Sequence, residues 1–280
     1  MRMDILETIC EERRADTARN KRERPASSLE REASPPRPAF RAAGAERGEH
    51  RRGLLIAECK RASPSRGLML EDYDPVRLAC AYERGGAGLV SVLTEPRRFL
   101  GADGHLAAVR SAVGLPVLRK DFIVDPYQID EAWAIGADAI LLIADALGER
   151  ELCDFGAQAH ELNLSVLVEL REERHLGKAL AAKPDAVGVN SRDLRDFSVH
   201  KDKAAAMAAH LTAALPKGTL LVAESGMKTA EDVAALRKAG YRGFLVGEAL
   251  ATAANPEAAA RLFASATKAG DAAKEGTICA

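Results

Sequence analysis

Glu58, Lys60, Lys120, Glu169, Asn190 and Glu224 are the residues whose types and spacing could do chemistry. They lie in IAECKRASPSRG, LRKDF, VLVEL, VGVNSRDL and VAESG, where short apolar runs end on an ionisable or amide group. A lone glutamate after an apolar run is ordinarily a surface or capping residue. Three of them, with two lysines at equivalent positions, describe one convergent site. Burying like charges without partners costs several kcal/mol, so the economical arrangement lets the glutamates and lysines balance one another. Such a set is the inventory of general acid–base catalysis. Neighbouring cations and burial are expected to lower a lysine's pKa and make it a proton donor near neutral pH.

The elements that must position these groups follow from the apolar pattern. Runs of four to six apolar residues are buried on both faces, as in a parallel sheet covered by helices. Strands are read at 54–59, 88–93, 116–118, 139–143, 165–170, 186–189, 219–223 and 243–246. Helical patterns begin near Pro75, Asp103, Pro126, Glu149, Arg171, Val199, Thr229 and Pro256. Asp74-Pro75 and Asp125-Pro126 each place a capping residue before a proline suited to the first helical position. Thr229 with Asp232 has the spacing of a capping box. This alternation has the unit count of a (β/α)₈ TIM barrel, in which catalytic groups come from the C-terminal ends of many strands. A doubly wound open sheet is the alternative fold, but Glu-Cys-Lys stands after the first strand instead of G-x-G-x-x-G.

Side chains alternate along a strand. Glu58 and Lys60 therefore share a face and Cys59 opposes them. Glu169 shares parity with Ser165 and Leu167, and Asn190 with Arg192. Cys59 is accordingly read as structural and not as a nucleophile. At the rims of the last two strands, Glu224-Ser225-Gly226 and Gly247-Glu248 suggest a phosphate subsite. Barrels of this kind often bind phosphate through backbone N–H groups there, and glycine lets the backbone approach the anion. Lys60 and Ser63, after the first strand, could complete the subsite.

Residues 1–50 differ from the rest. Asp4 to about Lys21 reads as a charged helix with Ile5, Ile9 and Cys10 on one side, followed by KRER, SPPRP and a short helix near 39–43. The plain reading is a solvated extension; the sharper one is a cap over one mouth of the barrel. The division expected is an N-terminal helical extension (1–50), the barrel (51–268) and a frayed tail (269–280). With 40 basic and 41 acidic residues, the charge balance gives no reason to expect nucleic acid or an anionic membrane as partner. Five scattered cysteines without a CxxC pair argue against a disulfide framework or zinc site. The N-terminus shows no long apolar leader, and no apolar run approaches the ~18 residues of a membrane span. A cytoplasmic enzyme with reduced thiols is expected.

The chain resembles the indole-3-glycerol phosphate synthase family of the tryptophan pathway. The resemblance rests on IAECKRASPSRG, SVLTE followed by FLG, LRKDFIVDPYQI, ADAILLI, VLVEL, VGVNSRDL, ESGM and GFLVGEAL, in order over residues 54–250. It implies that Glu58, Lys60, Lys120 and Glu169 transfer protons and that Asn190 is the polar group after the sixth strand. Arg192 then binds the anionic anthranilate side of the substrate, and Glu224 contacts substrate. Ser225, Gly226, Gly247 and Glu248 lie near the phosphate, with Phe122 and Leu141 as apolar walls. The implied reaction is ring closure, decarboxylation and dehydration of 1-(2-carboxyphenylamino)-1-deoxyribulose 5-phosphate. The implied partner is that phosphorylated small molecule, with no cofactor and no metal, and a monomer is expected. Ser191, where NNRDL has Asn, should face away from the site.

Three rival readings remain. A Schiff-base aldolase on the same barrel would use Lys120 or Lys60 as nucleophile. A sugar-phosphate isomerase would want a Cys/Asp pair at strand ends, and Cys59 has the wrong parity. A non-catalytic binder of phosphorylated ligands would have no need of both Lys/Glu pairs.

Overall fold

The structure, a computed structural model, describes residues 4–31, 33–40, 53–192 and 201–268. Eight parallel strands close into a barrel: β1 (Leu54–Cys59), β2 (Leu89–Leu93), β3 (Val117–Lys120), β4 (Ala139–Ile143), β5 (Ser165–Leu170), β6 (Ala186–Asn190), β7 (Leu220–Glu224) and β8 (Gly243–Val246). β1 pairs with both β2 and β8, so the sheet has no edge and the open doubly wound alternative is excluded. Strands β3, β6 and β7 run further toward their C-termini than the apolar runs suggest. Lys120 stays in register with Leu93, and Asn190 with Glu224, because the neighbouring strand continues beside each of them.

Helices cover the outside. α1 (Ile5–Glu23) precedes the barrel. α2 (Pro75–Arg84), α3 (Asp103–Ala112), α4 (Tyr127–Ala134), α5 (Glu149–Glu161), α6 (Leu176–Leu180), α7 (Lys201–Ala214), α8 (Ala230–Ala239), α9 (Glu248–Ala251) and α10 (Pro256–Ala266) follow the strands. The Asp74 cap accepts from the Arg77 N–H, and Thr229 and Asp232 form the expected capping box. Two helix starts move. Pro126 takes the capping position itself, and Asp125 Oδ1 accepts from Tyr127 N, so α4 begins one residue later than expected. After β5 the chain makes a 3₁₀ turn at Glu173–His175 before α6, not a helix from Arg171. The start expected near Val199, the tail at 269–280 and Cys279 lie outside the described residues.

The pleat sorts the side chains into two layers. Leu55, Ala57, Cys59, Val90, Val92, Ile140, Val166, Val168, Val187 and Ala223 pack outward in one cluster with the helices. Leu54, Ile56, Leu118, Leu141, Leu167, Val222 and Leu245 fill the interior. Two residues beyond apolar interior positions on the same face stand Glu58, Lys120, Glu169 and Glu224, and Asn190 stands two beyond Gly188. Alternation thus carries an apolar interior at one end of the barrel into a ring of polar groups at the other.

The N-terminal segment reaches both ends of this barrel, where the sequence suggested one mouth. Leu6 and Ile9 of α1 are buried at the polar end, while Asn20 donates to Glu131 and the Tyr127 hydroxyl donates to the Arg24 carbonyl along the flank. Arg31 donates to the Trp133 and Ala137 carbonyls, further down the same side. Arg37 N donates to Asp138 and Ala39 N to the Ser165 hydroxyl, both at strand starts. Ala39 and Phe40 form a bend and not a helix, residues 41–43 being outside the described set. Phe40 is 3% exposed and joins Leu54, Ala139, Ala186 and Leu220 in the interior cluster. It therefore plugs the apolar end. Replacing Phe40 by Ala is expected to destabilise the protein by about 3–5 kcal/mol, measured by equilibrium urea denaturation; a loss well below that range would show that the end closes without it.

Candidate active site

A cavity of about 970 Å³ opens at the C-terminal ends of the strands. It is within the size range of small-ligand sites. Every residue singled out from the sequence lines it: Glu58, Lys60, Ser63, Lys120, Phe122, Leu141, Glu169, Asn190, Arg192, Glu224, Ser225, Gly226, Gly247 and Glu248. Cys59 does not; its thiol faces the Pro75 carbonyl among the helices, as parity required.

The charged groups are in direct contact. Lys120 Nζ stands 3.3 Å from Glu169 Oε2 and 3.2 Å from Glu224 Oε2. Lys60 Nζ is 2.6 Å from Glu58 Oε1. Asn190 Nδ2 donates to Glu169 Oε1 at 2.9 Å, and Asn190 Oδ1 accepts from the Arg192 N–H at 2.9 Å. Asn190 thus fixes the Glu169 carboxylate and the turn carrying Arg192.

Electrostatics correct one expectation. Lys120 does not have a lowered pKa. Burial acts in that direction, but Glu224, Glu169 and Glu58 outweigh it and hold the ammonium well above its ordinary range. The near neighbours of Lys120 are carboxylates and not cations, which reverses the sign. Burial likewise works against the charge on Glu58, but Lys60 and Lys120 prevail and keep its carboxyl below the ordinary range. Glu224 is different. Burial is the largest influence, Lys120 opposes it, Glu169 adds to it, and the carboxyl is pushed up to about 8. Burial and the neighbouring Glu169 thus bias Glu224 toward its neutral form, while Lys120 opposes them.

Two glycines make room for this set. A Cβ at Gly188 would overlap Glu224 Oε1, and one at Gly247 would overlap Glu58 Oε1 and stand 2.8 Å from Lys60 Nζ. The Glu224 and Glu58 carboxyl groups lie against backbone where any other residue would place a side chain. Around the rim, Ser225 and Gly226 both take left-handed backbone (φ 66° and 78°), which turns the chain sharply after β7. Gly247 leads into the short helix α9. The Glu248 carboxylate pairs with Arg66 at 2.6 Å and lies 3.9 Å from Arg192. Arg192 also reaches the Ser65 hydroxyl at 3.4 Å.

A family model described as "Indole-3-glycerol phosphate synthase" matches residues 6–263. A protein of that name from Chlorobium phaeovibrioides is 47% identical over 249 residues, covering 89% of this chain and 95% of its own. One from Laribacter hongkongensis is 44% identical over 264 residues, covering 93% and 99%. The chain belongs to the indole-3-glycerol phosphate synthase family. Solved structures of 3-hexulose-6-phosphate synthase from Salmonella typhimurium and thiamine phosphate pyrophosphorylase from Pyrococcus furiosus superpose with TM-scores of 0.61 and 0.58. They are 15% and 16% identical, cover 76% and 77% of this chain and 98% and 95% of their own, and share its barrel fold.

For a member of the indole-3-glycerol phosphate synthase family, the motifs alone left part of the wall unread. Ile5, Leu6 and Ile9 of α1 line the cavity, as do Leu93 and Phe99. The spacing of Ile5 and Ile9 was the available signal for the first group. Arg66, exposed at the rim and paired with Glu248, does not itself line the cavity. Among the described residues, no helix is long and apolar enough to cross a membrane, and no group of three or more His, Cys, Asp or Glu side chains is placed to hold a metal ion.

The raised pKa of Glu224 has a consequence for stability. Folded protein holds a proton there that the unfolded chain releases in the ordinary carboxyl range. Its contribution is complete below that range and is lost as pH rises toward about 8. Glu224→Gln is expected to flatten this part of the decline between about pH 5 and about pH 9, measured as thermal unfolding midpoints across a pH series. Comparing the two proteins isolates Glu224 from His105, whose lowered pKa acts in the opposite direction. Equal slopes would remove the assignment.

Proposed function

We propose that this cavity converts 1-(2-carboxyphenylamino)-1-deoxyribulose 5-phosphate to indole-3-glycerol phosphate, as a carboxy-lyase of tryptophan biosynthesis. The observation that carries the reading is the Lys120 ammonium between Glu169 and Glu224, beside the Lys60–Glu58 pair in the same cavity. In the first step the aromatic carbon attacks the ketone and an alkoxide develops. An ammonium held this firmly protonates only a base stronger than itself, and an alkoxide is such a base. Lys120 is the acid of that step. Glu224, whose carboxyl is pushed up to about 8 and lies 3.2 Å away, is the adjacent group that can resupply a proton. Loss of CO₂ then restores aromaticity. Loss of water needs a second acid and a base, which we assign to Lys60 and Glu169, with Glu58 orienting Lys60.

Binding follows the same polarity. Phe122 and Leu141 face the aromatic ring, and Arg192 takes the carboxylate. Backbone N–H groups near Ser225, Gly226, Gly247 and Glu248 receive the phosphate, with Ser63 and Arg66 on the facing loop. The Glu248 side chain would repel a phosphate, so its part is played through the backbone while its carboxylate holds Arg66. Residues 1–50 act as an extension of the barrel unit 51–268, and the protein works as a cytoplasmic monomer.

The rivals fit less well. A Schiff-base lysine must be a neutral amine, and Lys120 is held as an ammonium. The buried Cys59 thiol is pushed up and faces away from the cavity. Incubation with the carboxyphenylamino substrate should give indole fluorescence, whereas borohydride trapping of a covalent sugar-phosphate adduct would favour the aldolase. Lys120→Ala is expected to lower kcat by ~10²-fold or more; near-normal turnover would remove Lys120 from the mechanism. Arg192→Ala is expected chiefly to raise KM, and a large fall in kcat at constant KM would contradict its binding role.

A further inference from the structure

Directly behind Lys120 lies a buried ion network that meets the cavity wall at Asp121. Arg119 is fully buried, with its guanidinium 2.9 Å from Asp103, 2.7 Å from Glu131 and 2.9 Å from the Gln128 carbonyl. The next residue on that face is Asp121, 1% exposed. Its Oδ2 accepts from Arg13 Nη2 at 2.9 Å and from Thr94 Oγ1 at 2.6 Å, and lies 3.5 Å from Arg119 Nη2. Its Oδ1 accepts from the Phe122 N–H at 2.8 Å. One carboxylate therefore joins α1, the end of β2 and the segment 120–122. That segment carries Lys120 into the cavity on one side of Asp121 and the Phe122 ring on the other.

Arg13 is itself 4% exposed and shares the buried side of α1 with Leu6 and Ile9, which wall the cavity. We infer that Asp121, held by Arg13, is a positioning residue for the reaction, so that α1 sets the placement of Lys120 and Phe122. The inference rests on the proposed synthase activity. Its physical basis is competition for one carboxylate. Without Arg13, the cation left beside Asp121 is Arg119, whose Nη2 lies 3.5 Å from the same oxygen. Asp121 then tilts toward Arg119 and draws the Phe122 N–H with it. Lys120, whose ammonium must sit between the carboxyl groups of Glu169 and Glu224 little more than 3 Å away, shifts at its backbone.

The test uses the full chain with Arg13→Met, Arg13→Lys and Asp121→Asn. Lys21→Met is the control, since Lys21 forms an exposed ion pair from the same helix to Asp125. Arg13→Met is expected to lower kcat roughly ten- to a hundredfold with KM changed less than about threefold. Added guanidinium ion should restore part of the loss, and Arg13→Lys should fall between the two. Hydrogen exchange at the Phe122 amide should quicken in Arg13→Met and Asp121→Asn and stay unchanged in Lys21→Met. Should Arg13→Met not fold, Arg13→Lys and Asp121→Asn carry the same comparison. Unchanged exchange at Phe122, or a kcat within about twofold of the parent below the unfolding temperature, would overturn the inference. Absence of indole formation by the parent protein would instead overturn the proposed activity, and the exchange measurement would still decide the positioning claim.

Discussion

Lys120 is an ammonium taken out of water, and the mouth of the barrel is arranged around keeping it charged. Its partners Glu169 and Glu224 come from β5 and β7, and Glu58 from β1 adds to the field. No two of these strands are adjacent in the barrel, so the groups meet only where the curved sheet turns them toward one another. Lys60, Lys120 and the nearby Arg192 face the carboxyl groups of Glu58, Glu169 and Glu224, and burial pushes Glu224 up toward its neutral form. Charge balance, more than any single hydrogen bond, explains why these five groups tolerate burial together.

Room for the groups is as important as their charge. Gly188 and Gly247 are inward-facing positions at the level where Glu224 and Glu58 project, and both lack the side chain that would occupy that space. Conformational freedom is not their contribution, since neither is among the positive-φ glycines. On the opposite face of β3, Arg119 needs acidic partners for the same reason that Lys120 does. The strand thus carries adjacent cations into two separate polar environments, one open to a ligand and one sealed by α1 and α4.

Most of the barrel was legible in the sequence because two-sided burial leaves continuous apolar runs, and period-two alternation then places each charge. Parity alone put Glu58 and Lys60 together and sent Cys59 to the helices, as the structure has it. Strand ends were underestimated at Lys120, Asn190 and Glu224, where a polar residue stays paired because its neighbour strand continues. The direction of the Lys120 shift was misread, since sequence reveals which charges converge but not which are nearest. The double reach of the N-terminal segment was also hidden. Arg31, Arg37 and Ala39 bond to carbonyls at helix ends and to a side chain at a strand start, and nothing local in SPPRP announces those distant acceptors.

Arg13 and Asp121 are 108 residues apart in the chain, and Ala39 and Ser165 are 126 apart. A ribosome releases α1 long before it makes anything α1 can dock on. Contacts of such long range are closed late and slowly, so α1 must wait for its docking surface. Until then Leu6 and Ile9, on the one apolar side of an otherwise charged helix, remain uncovered.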